Sequence, residues 1–297
     1  MLLKRIGMLF FCFWQTVLPA QDKNNYRQEI NNWHKSRIAF LRSPEGWINL
    51  EGLFWLKPGR NSFGSHAGND IVYANPSFPK LAGYFEWENG KVNWISEAGV
   101  HIRIGDSAIN RAVVFEEGKK MPLLALETFR WNIIKRDDKI GVRFRNLESA
   151  SSKNFKDIKC YPVNEKWRVT AHLEAAPKAS IMITNVLGQT KPEDSPGKLE
   201  FIINGKTCQL DAITEDDQLF IIFGDASSGK GTYPAGRFLY ANLPDANGNT
   251  VLDFNKAFNP PCAFTPYATC PLPPKQNILP IAITAGEKDY VMDIKKR

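Results

Sequence analysis

Between residues 22 and 41 the apolar positions Tyr26, Ile30, Trp33, Ile38 and Leu41 recur at helical spacing, and Ser43-Pro44 supplies a stop. The pattern predicts one amphipathic helix over residues 21–45. Beyond it the period falls to two. IVY (71–73), YFEW (84–87), KVNWI (91–95), VHIRI (100–104), RAVVF (111–115) and ETFRWNII (127–134) are short strand-like runs, many alternating apolar with polar residues. Glu88-Asn89-Gly90, Gly105-Asp106 and Arg136-Asp137-Asp138-Lys139 stand between them as hairpin turns. After a lysine-rich stretch at 149–159 the rhythm resumes in WRVTAHLEA (167–175), SIMITNV (180–186), KLEFIIN (198–204), KTCQLDAI (206–213) and QLFIIF (218–223), with Asn204-Gly205 the strongest hairpin signal. No long helical segment intervenes, which argues against alternating βαβ units. The expectation is an all-β fold: an antiparallel sandwich or barrel-like body over 46–297, with one N-terminal amphipathic helix. Residues 149–159 read equally as a crossing loop or a sub-domain break.

The segment Asp253–Pro274 departs from this rhythm, with Pro260, Pro261, Pro266, Pro271, Pro273 and Pro274 and two cysteines in one stretch. Prolines lack the backbone donor and fix φ, so an extended, stiff path is expected and no α-helix. Cys262 and Cys270 are the natural local pair for a disulfide, and the alternative is two buried free thiols. No C-x-x-C spacing suggests structural zinc.

Residues 1–20 change the picture of where the chain works. Lys4 and Arg5, an apolar run from Ile6 to Leu18, and Leu18-Pro19-Ala20 read as an export signal cleaved after Ala20. The rivals are a retained membrane anchor, for which a run interrupted by Gln15 is short of the ~20 residues needed, and a lipid anchor at Cys12, against which bulky Phe10 and Phe11 stand. The expected location is periplasmic or secreted, with no transmembrane segment after cleavage. Removing the signal takes Lys4 and Arg5 with it and lowers the formal net charge from +7 to +5. With no dense basic tract, nucleic acid is not an expected partner.

Candidate chemistry gathers in two places. GDASSGKGT (224–232) resembles a phosphate-binding loop. However, Gly231 stands where a metal-binding hydroxyl is needed, and TYPAGRF follows in place of a helix. The loop reads better as a polar turn presenting Asp225, Ser227, Ser228, Tyr233 and Arg237, whose planar fork suits a carboxylate or phosphate. The alternative is an internal ion pair of Arg237 with Asp225 or Asp253. Asp253, Asn255 and Asn259 form the second group. They lack the glycine and glutamate of a calcium loop, and no metal or other cofactor is expected.

His66, on the glycine-rich loop FGSHAGND, is a candidate base for Ser65 or Ser228. There is no G-x-S-x-G elbow, which excludes a standard α/β-hydrolase triad. Trp47, Phe54 and Trp55 read as core anchors first and stacking platforms second.

The blocks GWINLEGLFWLKPGRNSFGSHAGNDI (46–71), SPGKLEF (195–201), GTYPAGRFL (231–239), LDFNKAFNPPCAFTPYATCPLPPKQN (252–277) and AGEK (285–288) resemble the uncharacterised prokaryotic family called domain of unknown function 1684. The resemblance extends over most of the mature chain and implies that the regions around Gly64, Arg237, Asn259 and Glu287 share one fold unit. It carries no activity.

The reading that results is an exported protein binding a small polar or anionic molecule in a cleft between the 225–237 turn and the 253–274 segment. Arg237, Ser228, Tyr233, Asn255 and Asn259 are the contacts, and Asp225, Asp253, Glu287 and His66 the acid or base groups of a possible hydrolase. A non-catalytic envelope module is the alternative.

Overall fold

A computed structural model describes residues 18–290. The expected export signal lies outside the described residues, apart from Leu18, Pro19 and Ala20 at the start of the first helix. That helix, α1 (Leu18–Arg42), carries its stripe as expected: Tyr26, Ile30 and Leu41 are buried, and Trp33 and Ile38 half-buried. None of the helices among the described residues is long and apolar enough to cross a membrane.

The rest is mostly β, as the alternation predicts. The first body contains β1 (Leu50–Trp55), β2 (Gly59–Gly64), β3 (Ile71–Val72), β4 (Gly83–Glu88), β5 (Lys91–Ser96), β6 (Ile102–Ile104), β7 (Ser107–Ile109), β8 (Arg111–Glu116), β9 (Leu124–Leu126), β10 (Phe129–Arg136) and β11 (Lys139–Asn146). They form a six-stranded sheet, β1-β11-β10-β9-β6-β7, and a five-stranded one, β3-β2-β4-β5-β8. Their inner faces enclose an aromatic core in which Phe63, Phe85, Trp94, Trp131 and Phe144 are fully buried. Phe63 is the hub, its ring centroid 5.0 Å from that of Phe78 and 5.3 Å from that of Phe144. Because successive strand residues face opposite ways, Ile140, Val142 and Phe144 of β11 enter this core, while Arg143 and Arg145 point out of the sheet's far face.

A short helix, α2 (Ala150–Asn154), lies in the passage to the second body. There β12 (Arg168–Thr184), β13 (Thr190–Ile203), β14 (Lys206–Glu215), β15 (Gln218–Asp225), β16 (Arg237–Asn242) and β17 (Asn249–Asp253) form a sheet ordered β16-β15-β14-β13-β12-β17, and β18 (Ile278–Leu279) adds to β15 in parallel. The two end strands come together, with Thr250 Oγ1 donating to the Asn242 carbonyl at 2.8 Å, so the sheet curls into a nearly closed barrel around Leu199, Phe201, Leu210, Phe223 and Leu252. Asn204 and Gly205 form the expected two-residue turn, both with positive φ (52° and 73°), between the paired residues Ile203 and Lys206.

The proline-rich segment leaves β17 as single 3-10 turns and extended stretches, as proline requires. Its path closes the molecule. It seats α1 through Phe264, which packs with Leu41, Ile48, Phe155 and Ile158, and it reaches the first body where Thr265 Oγ1 donates to the Leu50 carbonyl at 2.9 Å.

Candidate functional site

The two polar groups singled out in the sequence do converge, but the hollow expected between them is filled. Arg237 is 1% exposed. Its fork donates to Asp225 Oδ2 at 3.0 Å, to the carbonyls of Ile283 at 2.9 Å and Glu287 at 3.3 Å, and to the carbonyl of Ala285. Only its Nε has no partner.

Asp225 is saturated in turn. It accepts from Arg237, from Ser227 N and Oγ, and from Ile283 N at 3.1 Å. The reason is topological: β15 and β16 place Asp225 and Arg237 at one end of the barrel, and the returning chain at 283–287 lays its carbonyls across the guanidinium. The alternative weighed from sequence, an internal ion pair, is the geometry found. Ser228 is tied to the same turn, with Oγ accepting from Asp225 N at 3.2 Å.

Asp253 and Asn255 serve the helix. Tyr26 Oη donates to both carboxylate oxygens of Asp253 (2.8 and 3.0 Å), and Asn255 Nδ2 donates to Tyr26 Oη at 2.8 Å. Asn259 and Glu287 lie beneath the next turns of α1. Glu287 is fully buried and accepts from Arg37 Nε at 3.1 Å and from Asn259 N at 2.7 Å, while Asn259 Nδ2 donates to the Lys288 carbonyl.

His66 is not part of this cluster. It stands exposed beyond β2, where its Nδ1 accepts from Gly68 N at 3.1 Å, and Ser65 Oγ donates to the Phe78 carbonyl.

Burial pushes the Glu287 carboxyl above the usual carboxylate range, against the pull of Arg37 and the Asn259 N–H. The native state therefore holds this proton more tightly than the unfolded chain does. The stability the group contributes is complete below the unfolded value of about 4.3 and is lost as pH rises through the native one. We expect the stability difference between Glu287→Gln and the parent to move in favour of Gln as pH is raised from about 4.5 to 7.5. Urea titrations at each pH measure it; a difference independent of pH would contradict the shift.

A different arginine is unsatisfied. Arg143 projects from β11 on the face that the proline-rich segment covers, its guanidinium 4.8 Å over the ring of half-buried Trp47. Among the described residues it has no hydrogen bond or ion pair, and its buried Nε is orphaned. Burial draws its guanidinium down to about 10, with Arg136 and Arg145 adding to the effect.

The neighbouring arginines are occupied. Arg145 donates to Asn132 Oδ1 at 2.8 Å and to the Gly46 carbonyl at 3.1 Å; Arg136 donates to Thr269 Oγ1 at 2.9 Å. Trp47 packs against two buried clusters, that of Ile181, Phe238 and Cys270, which Cys262 also packs against, and that of Leu41, Ile48 and Phe264, which Tyr233 also packs against. Both thiols are free rather than bridged, and the backbone N–H of Cys262 donates to Cys270 Sγ at 3.0 Å. Burial, with the two thiols and the Asp289 carboxylate nearby, pushes the Tyr233 phenol up to about 12. The charged groups that act on Arg143 are Arg136 and Arg145, with the Cys262 and Cys270 thiols beside them.

Sequence reasoning missed Arg143 because KIGVRFRN was not read as a strand. The signal was present: apolar Ile140, Val142 and Phe144 alternate with Arg143 and Arg145, which places two guanidinium groups on one face of a strand.

Two further features stand apart. His34 Nε2 lies 2.8 Å from Asp157 Oδ1, and its Nδ1 lies 3.6 Å from Cys160 Sγ. The order suggests nucleophile, base and orienting acid, but burial with Glu287 and Asp157 nearby pushes the Cys160 thiol up to about 12, away from the thiolate. A groove of about 620 Å³ follows the register irregularity between Ala175 and Ala179, walled by Pro273 and Pro274; there Gln276 already donates to Asp211 Oδ2 at 2.8 Å.

Comparison with known proteins adds a match to a family over part of the chain and no activity. No curated protein matches the chain. The solution NMR structure of an uncharacterized protein of Haloarcula marismortui is similar at 26% identity over 49% of this chain and 82% of that one, with a TM-score of 0.40. The FhaA FHA domain complexed with the intracellular domain of Rv3910 covers 31% of this chain and 97% of its own at 9% identity (TM-score 0.22). A structure described through phosphothreonine-dependent FHA domain interactions covers 31% and 92% at 9% identity (TM-score 0.23).

Of the family-like blocks in the sequence, the one at 46–71 lies outside the matched region and the other four lie inside it. Over residues 153–288, which hold the nearly closed barrel, the Arg237 network and both cysteines of the tail, this chain matches the family described as Protein of unknown function (DUF1684).

Proposed function

We propose that the protein binds a small anionic molecule in the cleft between β11 and the proline-rich segment, with Arg143 as the anchor and Tyr233 and Trp47 as its walls. The observation that carries this reading is a half-buried guanidinium with no protein hydrogen bond, whose Nε is sealed from solvent without a partner. The buried Nε is costly, because nothing in the protein replaces the water it has lost. An entering carboxylate, sulfate or phosphate supplies the missing acceptors in the fork geometry that arginine favours. The ligand class is the one expected from the sequence; its anchor is Arg143 in place of Arg237. Export through residues 1–20 is part of the same proposal and fits a binder of extracytoplasmic solutes.

The test is thermal unfolding with sulfate, phosphate or succinate against chloride at matched ionic strength. A ligand at about 100 times its Kd adds about 2.7 kcal/mol to the folded state. We expect Arg143→Met to abolish that rise while leaving the midpoint without anion unchanged or higher, since the variant no longer buries an unpaired charge. Equal stabilisation of parent and variant would sink the reading.

A second reading, a non-catalytic envelope module, is favoured by the saturation of Arg237 and Asp225. It gains if no anion moves the midpoint of either protein.

A further inference from the structure

Two thiols stand beside Arg143. Cys262 and Cys270 are both reduced and in contact, held by a loop with Pro260 and Pro261 before it, Pro266 within it and Pro271 after it. Their environments differ. Cys262 is partly open to solvent, whereas Cys270 is 4% exposed within the Ile181, Ile183 and Phe238 cluster. An accessible sulfur backed by a buried one is the arrangement that dithiol–disulfide exchange requires: the first attacks, and the second resolves the mixed disulfide.

We infer that Cys262 and Cys270 form a reactive dithiol that reduces small carboxylate-bearing disulfides, with Cys262 as the attacking sulfur and Arg143 drawing the carboxylate into the cleft. The inference rests on the anion-binding reading for its substrate class, and on the thiol geometry for its chemistry.

In the first step the Cys262 thiolate attacks one sulfur of the disulfide. A bond forms between Cys262 Sγ and that sulfur, the substrate S–S bond breaks, and one thiolate leaves and takes a proton from water. In the second step Cys270 Sγ attacks Cys262 Sγ, the mixed disulfide breaks, and the Cys270 proton goes to the second departing thiolate. The substrate gains two electrons and becomes two thiols; the protein loses two and becomes the Cys262–Cys270 disulfide.

Electrostatics supports this division of labour. The Cys270 thiol hydrogen-bonded to it, a backbone hydrogen bond at Cys270 and the positive Arg143 hold the Cys262 thiol below its ordinary value against burial. Burial, then the neighbouring Cys262, pushes Cys270 far above its own. A lowered thiol beside a cation is the nucleophile, and a buried high one is the resolver.

The experiment incubates the full mature chain with oxidised glutathione, an anionic disulfide, or cystamine, a cationic one, at low ionic strength. Peptide mapping then follows thiol loss. We expect oxidation confined to Cys262 and Cys270, with oxidised glutathione reacting about tenfold faster than cystamine, the lower end of electrostatic steering in a charged cleft. Arg143→Met brings the two rates together. In Cys270→Ser, glutathione stays attached to Cys262.

The inference is overturned if neither thiol of the folded parent reacts, or if glutathione is trapped on Cys270 in a Cys262→Ser variant. The unmutated protein carries the first of these outcomes, so a variant that fails to fold does not protect the idea. Unreactive thiols with anion-dependent stabilisation intact would refute the dithiol alone. Reactive thiols with no charge preference and no anion stabilisation would refute the anion reading and the substrate class with it.

Discussion

Arg237→Ala is expected to cost about 3–5 kcal/mol of folding stability, a large part of the 5–15 kcal/mol typical of a whole domain. The side chain is 1% exposed and joins β16 to Asp225 at the end of β15 and to carbonyls of residues 283, 285 and 287. Alanine leaves the Asp225 carboxylate buried without its cation, and three carbonyls lose their donor. Each such group carries its own desolvation penalty, which is why breaking a buried pair costs more than the pair contributes. Arg237→Lys should recover only part of the loss, since an ammonium cannot reproduce a planar fork that reaches a carboxylate and carbonyls together. Urea denaturation of parent, Lys and Ala variants measures the series. A loss below about 1 kcal/mol for Ala would mean the network is ornamental. Arg143→Met is the contrast: it should change ligand response and leave folding intact, so the two arginines separate binding from architecture.

Gly286→Ala is the second large effect, expected at about 3 kcal/mol. Gly286 has φ +70°, and an added Cβ would stand 2.3 Å from the Ala257 carbonyl oxygen and 2.8 Å from that of Phe254. The left-handed conformation alone costs a non-glycine residue about 1–2 kcal/mol, and the contacts are with backbone, which cannot swing aside. The strain also falls where it matters, since Gly286 accepts from Tyr161 N at 2.9 Å and its neighbour Glu287 accepts from Arg37. Gly205→Ala is the control. Its φ is +73°, but nothing lies within 4 Å of the added Cβ, so only the conformational share, about 1 kcal/mol, should appear. Equal losses at the two positions would show that crowding at 286 is relieved elsewhere.

Much of the architecture was readable because strand alternation and helical stripes are local. YFEW, KVNWI, RAVVF and ETFRWNII each overlap a strand, and Tyr26, Ile30 and Leu41 face the body from one helix. Three regions were hidden. β1 and β2 lie in LEGLFWLKPGRNSFG, whose glycines and proline interrupt the alternation; they are strands because β11 and β4 pair with them. The expected strand KLEFIIN starts at 198, yet β13 begins at Thr190 and carries Pro192 and Pro196, with β12 as its partner from Thr190 to Phe201 apart from a break at Pro196. β16 begins at Arg237, the last residue of the expected polar turn, and RFLYAN buries Phe238 and Leu239.

The candidate site was legible as a neighbourhood and not as a geometry. That the tail returns to the 225–237 turn follows from prolines that forbid helix and from a cluster of short polar side chains. Whether Arg237 is open or sealed depends on carbonyls 46 to 50 residues further along the chain, and no local pattern specifies where a carbonyl points after such a return. For Arg143 the local alternation assigns a face of β11, while the lack of a partner is a property of everything packed over that face. What the amino-acid order determined by itself was therefore periodicity, turn chemistry and the stiffness of the tail, each set by backbone sterics within a few residues. The tertiary structure alone decided which charges are neutralised and which cysteine of the pair is the more open, because pairing and desolvation are set by distances between segments that meet only in the folded chain.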